Sequence, residues 1–312
     1  MKTFRDVVKW KSQYQKRQWE ATPYEGREFS AALYEKDGFI ARITLNRPEK
    51  RNALNDAMFS DLMAGLHKAN DDSEVKVIII RGAGTNFSSG HDLSSPEGEE
   101  SPPVHPSLAP CVRDFYNIEK RRCNKHEDIF NFPKPTIAQI HGYCIGAGME
   151  IQAACDITIA AEDAQFGLRG FGIAPLGLYG HNVGPWPGAS PKQLAGSFLP
   201  ELSGKKMEEV GAINKAVPAS KLEEEVNQWA QAIASQPPDA LAVTKEFING
   251  MLDITGHGAM WRTHYEGHIM IQWVRFRKDE VSFYKSKKDK GLKGFLQERA
   301  MHSTPKKEHG KE

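Results

Sequence analysis

Cysteine is scarce in this chain: four residues in 312, Cys111, Cys123, Cys144 and Cys155, with no CxxC pair among them. That excludes a disulfide framework and a thiolate metal site, and leaves reduced, inert thiols as the expectation. Net charge is scarce as well. The 41 basic and 40 acidic residues leave +1, so no overall field draws in nucleic acid. The lysine-rich stretch Lys285–Lys293 reads as a solvated face. Long apolar runs are absent; the longest, Val75–Ile80, is broken by Lys76 and bounded by Arg81, far short of the roughly 20 residues that span a bilayer. The first thirty residues are studded with Lys, Arg and Glu and contain no apolar signal core, and Asp6 and Glu20 do not suit a transit peptide. The expectation is a cytoplasmic protein without membrane contact. His264 and His268 stand four apart but have no third ligand at a workable spacing, so no metal is expected.

What is present is an ordinary globular composition, 39% hydrophobic with 27 glycines. Residues 1–30 read as an extension, with Val7, Trp10 and Tyr14 at helical spacing. Phe39 to Leu45 alternates β-formers and is stopped at Pro48. Asn55 is placed to cap a helix with the apolar face Phe59, Leu62, Met63 and Leu66. Val75 to Arg81 is a dense β-branched run, the pattern of a buried strand. Gly82 to Pro110 is loop-like, and loops of that length often face ligands. A charged amphipathic helix is predicted over Phe115–Phe130. A strand follows at Thr136–His141, then a helix from near Gly146 and a strand at Ile157–Ala161. Successive strand–helix–strand passages imply right-handed crossovers in an α/β fold. From Leu222 the pattern is helical, through Ala230, Ile233 and Ala234 and on to Leu241, Lys245 and Ile248. The divisions expected are an extension (1–30), a core (31–220), a helical region (221–300) and a charged tail (301–312).

The densest chemistry lies in His141 to Gly170, HGYCIGAGMEIQAACDITIAAEDAQFGLRG. Gly146, Ala147 and Gly148 open a helix, presenting backbone N–H groups and the positive end of the helix dipole. Such a turn binds phosphate or holds the oxygen of an activated carbonyl. Glu150, close behind it, points to proton transfer beside a polarised carbonyl. The bland alternative is an acidic residue favoured at a helix start by the dipole.

These motifs resemble the crotonase family, the enoyl-CoA hydratase/isomerase superfamily. FIARITLNRPEKRNALN (Phe39 to Asn55) is similar to the family's first strand and the turn that cradles coenzyme A. VKVIIIRGAGTNFSSGHDL (Val75 to Leu93) is similar to the strand and loop that supply half of its oxyanion hole. GLKGFLQER (Gly291 to Arg299) resembles the C-terminal helix that closes the CoA site. The resemblance runs from about Ala31 to Arg299. It implies a spiral of ββα turns followed by a helical region, no metal or redox cofactor, and a homotrimer or homohexamer. It places backbone oxyanion donors at His91 and Ala147 and a general acid/base at Glu150. Buried beside an apolar pocket, a carboxylate is raised toward neutrality, where it exchanges protons readily. The resemblance places CoA contacts at Arg51, Ala53, Leu54, Phe295 and Arg299.

The departure concerns the second glutamate that the family's hydratases use. Its position here is Gly170, and no carboxylate stands within Gly167 to Gly180. Arg169, Tyr179 and His181 are the polar side chains nearby. The same glycines, Gly170, Gly172, Gly177 and Gly180, open an acyl wall in which Phe171, Tyr179 and Trp186 would pack on a bulky, cyclic or aromatic group; their alternative use is in tight turns. The expected function is hydration of an enoyl- or cyclic dienoyl-CoA through a stabilised enolate. Double-bond isomerisation and hydrolysis of a thioester or cyclic diketone are the alternatives on one fold. A non-catalytic acyl-CoA-binding scaffold is the alternative of another class, because fold alone does not set chemistry.

Overall fold

The computed structural model describes residues 23–93, 124–167 and 202–254, with 266, 289–291, 293–295 and 297. Two sheets organise the described residues. The larger runs β1 (Ala32–Asp37), β2 (Ile40–Leu45), β3 (Val77–Gly82), β4 (Thr136–Ile140), β6 (Ile157–Ala161) and β9 (Lys215–Val217) in that spatial order. The smaller contains β5 (Tyr143–Ile145), β7 (Gln165–Gly167) and β8 (Leu202–Ser203). The β1–β2 pair is an antiparallel hairpin, and every other pairing in the larger sheet is parallel. Parallel strands buried on both faces read as apolar runs rather than alternations. Val77, Ile78, Ile79 and Ile80 are accordingly all fully buried.

The chain deposits one strand in each sheet and then a helix. β4 joins the larger sheet, β5 the smaller; α3 (Ala147–Ala154) follows, and β6 and β7 repeat the step. This is the expected spiral of ββα turns. Of the remaining helices, α1 (Asp56–Asp71) buries Phe59, Leu62, Met63 and Leu66 as their spacing predicts. Asn55 caps it, its side chain accepting from the Met58 N–H at 2.9 Å. The α2 helix (residues 124–130) is the end of the helix predicted over 115–130, whose earlier part lies outside the described residues. The short α4 (Gly204–Glu209) precedes β9. Then α5 (Leu222–Ala234) turns Leu222, Val226, Ala230 and Ala234 inward and crosses β2, β3, β4 and β6. Last comes α6 (Pro238–Ile254). No helix of the described residues is long and apolar enough to cross a membrane.

One expectation is corrected. Phe39–Leu45 supplies the second strand of the sheet, because ALYEKD precedes it as β1. That strand lies at the sheet edge with Glu35, Lys36 and Asp37 in solvent. Charged edge strands are how sheets avoid pairing with neighbours, and their composition hides them from a search for apolar alternation.

The entry to β1 depends on a buried charge. Asp61 of α1, only 3% exposed, accepts from Arg27 Nε at 2.7 Å and from the N–H groups of Ser30, Ala31 and Ala32 at 3.1, 2.8 and 3.2 Å. Burial pushes its carboxyl up, but the guanidinium and the three amides outweigh that and hold it below the ordinary aspartate value. Asp61→Asn, which strands Arg27 and weakens the amide contacts, is expected to cost about 3 kcal/mol in denaturant unfolding at pH 7. A depressed carboxyl contributes stability above its unfolded value and loses it on acidification. The gap between wild type and variant therefore closes as pH falls below about 4.

Candidate active site

Three segments meet where β2, β3 and β4 end: residues 46–55, 83–93 and 141–148, the last containing β5 and the start of α3. They are joined by two isolated parallel bridges, Leu54 with His91 and Ser88 with Cys144. Leu54 donates to the Gly90 carbonyl at 2.8 Å and accepts from the Asp92 N–H at 2.9 Å. The Ile145 N–H donates to Ser88 at 3.0 Å, and that of Ser88 to Tyr143 at 2.8 Å. Buried polar side chains complete the junction. Asn52, fully buried, donates to the Ala83 and Asn86 carbonyls at 2.9 and 2.7 Å and accepts from the Arg47 N–H at 2.9 Å. The Ser88 hydroxyl donates to the Asn52 carbonyl at 2.8 Å and accepts from the Gly90 N–H at 3.1 Å. Asn86 Oδ1 accepts from the Tyr143 N–H at 3.0 Å. Arg47 pairs with Asp92 at 2.8 Å and donates to the Ala53 carbonyl at 2.7 Å.

This junction brings the two expected oxyanion donors to one place. Gly90, at φ +89°, approaches the α3 entry so closely that a Cβ there would lie 2.8 Å from the Ile145 carbonyl oxygen and 3.4 Å from the Ala147 nitrogen. The backbone carrying His91 thus lies against the first N–H of α3. Gly146 at φ 54° turns the chain into that helix, and Gly148 sits where a side chain would strike Ser88. His91 is an exposed residue.

Glu150 lies in the first turn of α3, buried on all sides. Its Oε2 is 3.3 Å from Nε2 of His126 on α2, and each side chain is 2% exposed. Phe59 of α1 lies between two imidazoles, edge-on to His126 with 5.5 Å between centroids and tilted to His91 at 6.2 Å. Lys125 covers the same Phe59 ring at 4.9 Å and lies 3.8 Å from Asp56. His126 is the functional candidate that sequence reasoning missed. A signal existed: with Ile129 and Phe130 it forms a buried i, i+3, i+4 stripe, in which a polar member is out of place.

Of the expected CoA contacts, Arg51 is exposed at φ 52°, its guanidinium 5.8 Å from the Tyr143 ring centre. Ala53 and Leu54 are buried, with their backbone committed to the junction. Phe295 is fully buried. Arg299 and the acyl-wall residues Gly170, Phe171, Tyr179 and Trp186 lie outside the described residues, as do Cys111, Cys123, His264 and His268. Burial raises the Cys144 thiol well above its usual value and that of Cys155 to about 12, so neither is a thiolate at neutral pH.

The described residues thus combine two wound sheets, a turn at a helix entry held by backbone and buried polar contacts, and a buried carboxylate in that helix. The sequence profile of the enoyl-CoA hydratase/isomerase family matches residues 35–302, and the chain belongs to that family of acyl-CoA enzymes. The EchA13 protein of Mycobacterium tuberculosis, named as an enoyl-CoA hydratase, is 34% identical over 252 residues, 75% of this chain and 78% of the relative. The 1,2-epoxyphenylacetyl-CoA isomerase of Escherichia coli is 32% identical over 227 residues, 71% of this chain and 82% of the relative. The crystal structure of an enoyl-CoA hydratase/isomerase from Xanthobacter autotrophicus Py2 superposes with a TM-score of 0.77 at 29% identity, covering 89% of this chain and all of that one.

Two outcomes are expected here. Gly90→Ala forces a Cβ against the Ile145 carbonyl at a left-handed φ, so it should lower the melting temperature and shift the Ala147 amide resonance; an unmoved resonance would separate the two loops. Burial and then the charge of Glu127 raise the Asp128 carboxyl on α2 to about 7. A raised acid favours the folded state while protonated and loses that contribution between about pH 4 and pH 7. Asp128→Asn should therefore raise the melting temperature more at pH 8 than at pH 5.

Proposed function

We propose that this chain hydrates an enoyl-CoA or cyclic dienoyl-CoA carrying a bulky acyl group, with Glu150 as the catalytic acid/base and the His91 and Ala147 N–H groups as the oxyanion hole. One observation carries the reading: Glu150 is buried in the first turn of the helix whose leading N–H abuts the Gly90–His91 backbone. Water bonds to C3 as Glu150 accepts its proton, and the π electrons move onto the thioester oxygen. The two amides hold that oxyanion; each such donor is worth about 3 kcal/mol of transition-state stabilisation. Glu150 then returns the proton to C2 and the carbonyl re-forms. The net change is one water added, so a single carboxylate closes the proton cycle and no carboxylate at position 170 is required. Arg51, the 53–54 turn, Phe295 and Arg299 would hold the CoA moiety. Gly170, Phe171, Tyr179 and Trp186 would shape the acyl pocket. The protein would act as a cytoplasmic homotrimer or homohexamer without a further cofactor.

A second reading, double-bond isomerisation, is favoured by the absence of a carboxylate in Gly167–Gly180; the Escherichia coli relative is also an isomerase, though of an epoxide. That relative's phenylacetyl-derived thioester also supports a bulky acyl group. Isomerisation needs one group to move one proton between two carbons.

Purified protein is to be incubated with linear, aromatic and alicyclic enoyl-CoA thioesters in ¹⁸O-labelled water and the products weighed. A gain of one labelled water identifies hydration. An unchanged mass with altered retention identifies isomerisation, and free CoA identifies hydrolysis. Glu150→Gln is expected to retain CoA-ester binding and lose turnover by roughly 10²- to 10⁴-fold. Binding without turnover in the wild type would mark a scaffold.

A further inference from the structure

The Glu150–His126 contact joins two groups that burial alone would keep apart. A carboxylate removed from water is costly unless a cation or a strong donor faces it. At 3.3 Å from Glu150 Oε2, the ring of His126 is placed to fill that role as an ion-pair partner when protonated, and both side chains are 2% exposed. The ring is held firmly. Ile129 and Phe130 anchor α2 in the core, with 0% and 9% exposure. The Asn249 side chain donates to the Phe130 carbonyl at 3.2 Å, and the edge-on contact with Phe59 fixes the imidazole plane. Three helices thus converge to orient one imidazole on one carboxylate oxygen. A residue serving only to fill space would not require a polar head there, since Phe or Leu fills the volume without a desolvation cost.

We propose that His126 is the positioning residue for Glu150, an inference that rests on the acid/base role proposed above. The imidazole engages Oε2 and leaves Oε1 to exchange the proton with water and C2. When protonated, it also balances the carboxylate's charge each time that proton leaves. The dyad is assembled from α2 and α3, so the support that hydration needs comes from residue 126, ahead of α3, rather than from position 170 beyond it.

The test compares His126→Phe, His126→Gln and Glu150→Gln, singly and combined, on whichever enoyl-CoA of the panel the wild type converts best. His126→Phe should lower kcat about 10- to 100-fold, the size of effect expected when a buried charge loses the group that faces it, with KM nearly unchanged. His126→Gln, which restores an N–H donor, should recover most of that loss, a rescue that a packing role would not produce. Adding His126→Phe to Glu150→Gln should cost nothing further, because the two act as one unit. Wild-type kcat in His126→Phe, or an equal loss in both backgrounds, would overturn the proposal. The contact is also read without substrate. The ¹⁵N ring signals of His126 should move on Glu150→Gln, and unmoved signals would overturn the dyad even where His126→Phe fails to fold. A wild type that converts no thioester while those signals move would sink the hydratase reading and leave the pairing standing.

Discussion

Everything at the site depends on how three segments leaving the larger sheet are held together, when only one of them, through β5, is paired in a sheet. Backbone leaving a strand must satisfy its N–H and C=O groups elsewhere. Here buried Asn52, Asn86 and Ser88 substitute for the missing ladder. Asn52 alone ties residues 47, 83 and 86 through its side chain, and through its carbonyl receives Ser88. Its φ of 53° is a backbone region that Asn tolerates better than most residues. A half-satisfied network of this kind would be worse than an apolar core. Its full satisfaction lets two separate backbones approach so closely that a Cβ on Gly90 would lie 3.4 Å from the Ala147 nitrogen.

Several buried acids follow one rule, from which Asp128, raised by burial and by Glu127, departs. Each of these buried acids has a base or a set of amides facing it: Asp61 has Arg27 and three N–H groups, Asp92 has Arg47 and Glu150 has His126. Asp156, partly buried, accepts from the Thr136 N–H and hydroxyl and pairs at 2.7 Å with Lys245 of α6. These contacts cost desolvation and give little net stability. What they supply is register: α1 on the β1 entry, the 46–55 segment on residues 90–92, α6 on the start of β6. The Glu150 pair is distinct in lying behind the helix entry where carbonyl chemistry would occur.

Much was legible from residues alone, and for local reasons. Asn55 as a cap, the apolar face of α1, the β-branched run of β3 and the glycine entry to α3 are all set by neighbours within a few positions. The resemblance to the crotonase family rested on those same local motifs, and the family assignment and the spiral fold agree with it. The β1 strand escaped because an edge strand facing solvent has no apolar period to detect. Lys245 was read as part of a helical pattern; its burial against Asp156 comes from a contact 89 residues away.

The sequence by itself determined the element order, the family and the residue types at the helix entry, because each is written in short-range patterning and turn chemistry. Tertiary structure alone decided which side chains share a site. Residues 59, 91, 126 and 150 come from four segments, and no spacing rule links an imidazole on α2 to a carboxylate on α3. Their meeting follows from the fold, which sets Phe59 of α1 against His91 and His126 and sets His126 of α2 against Glu150 of α3.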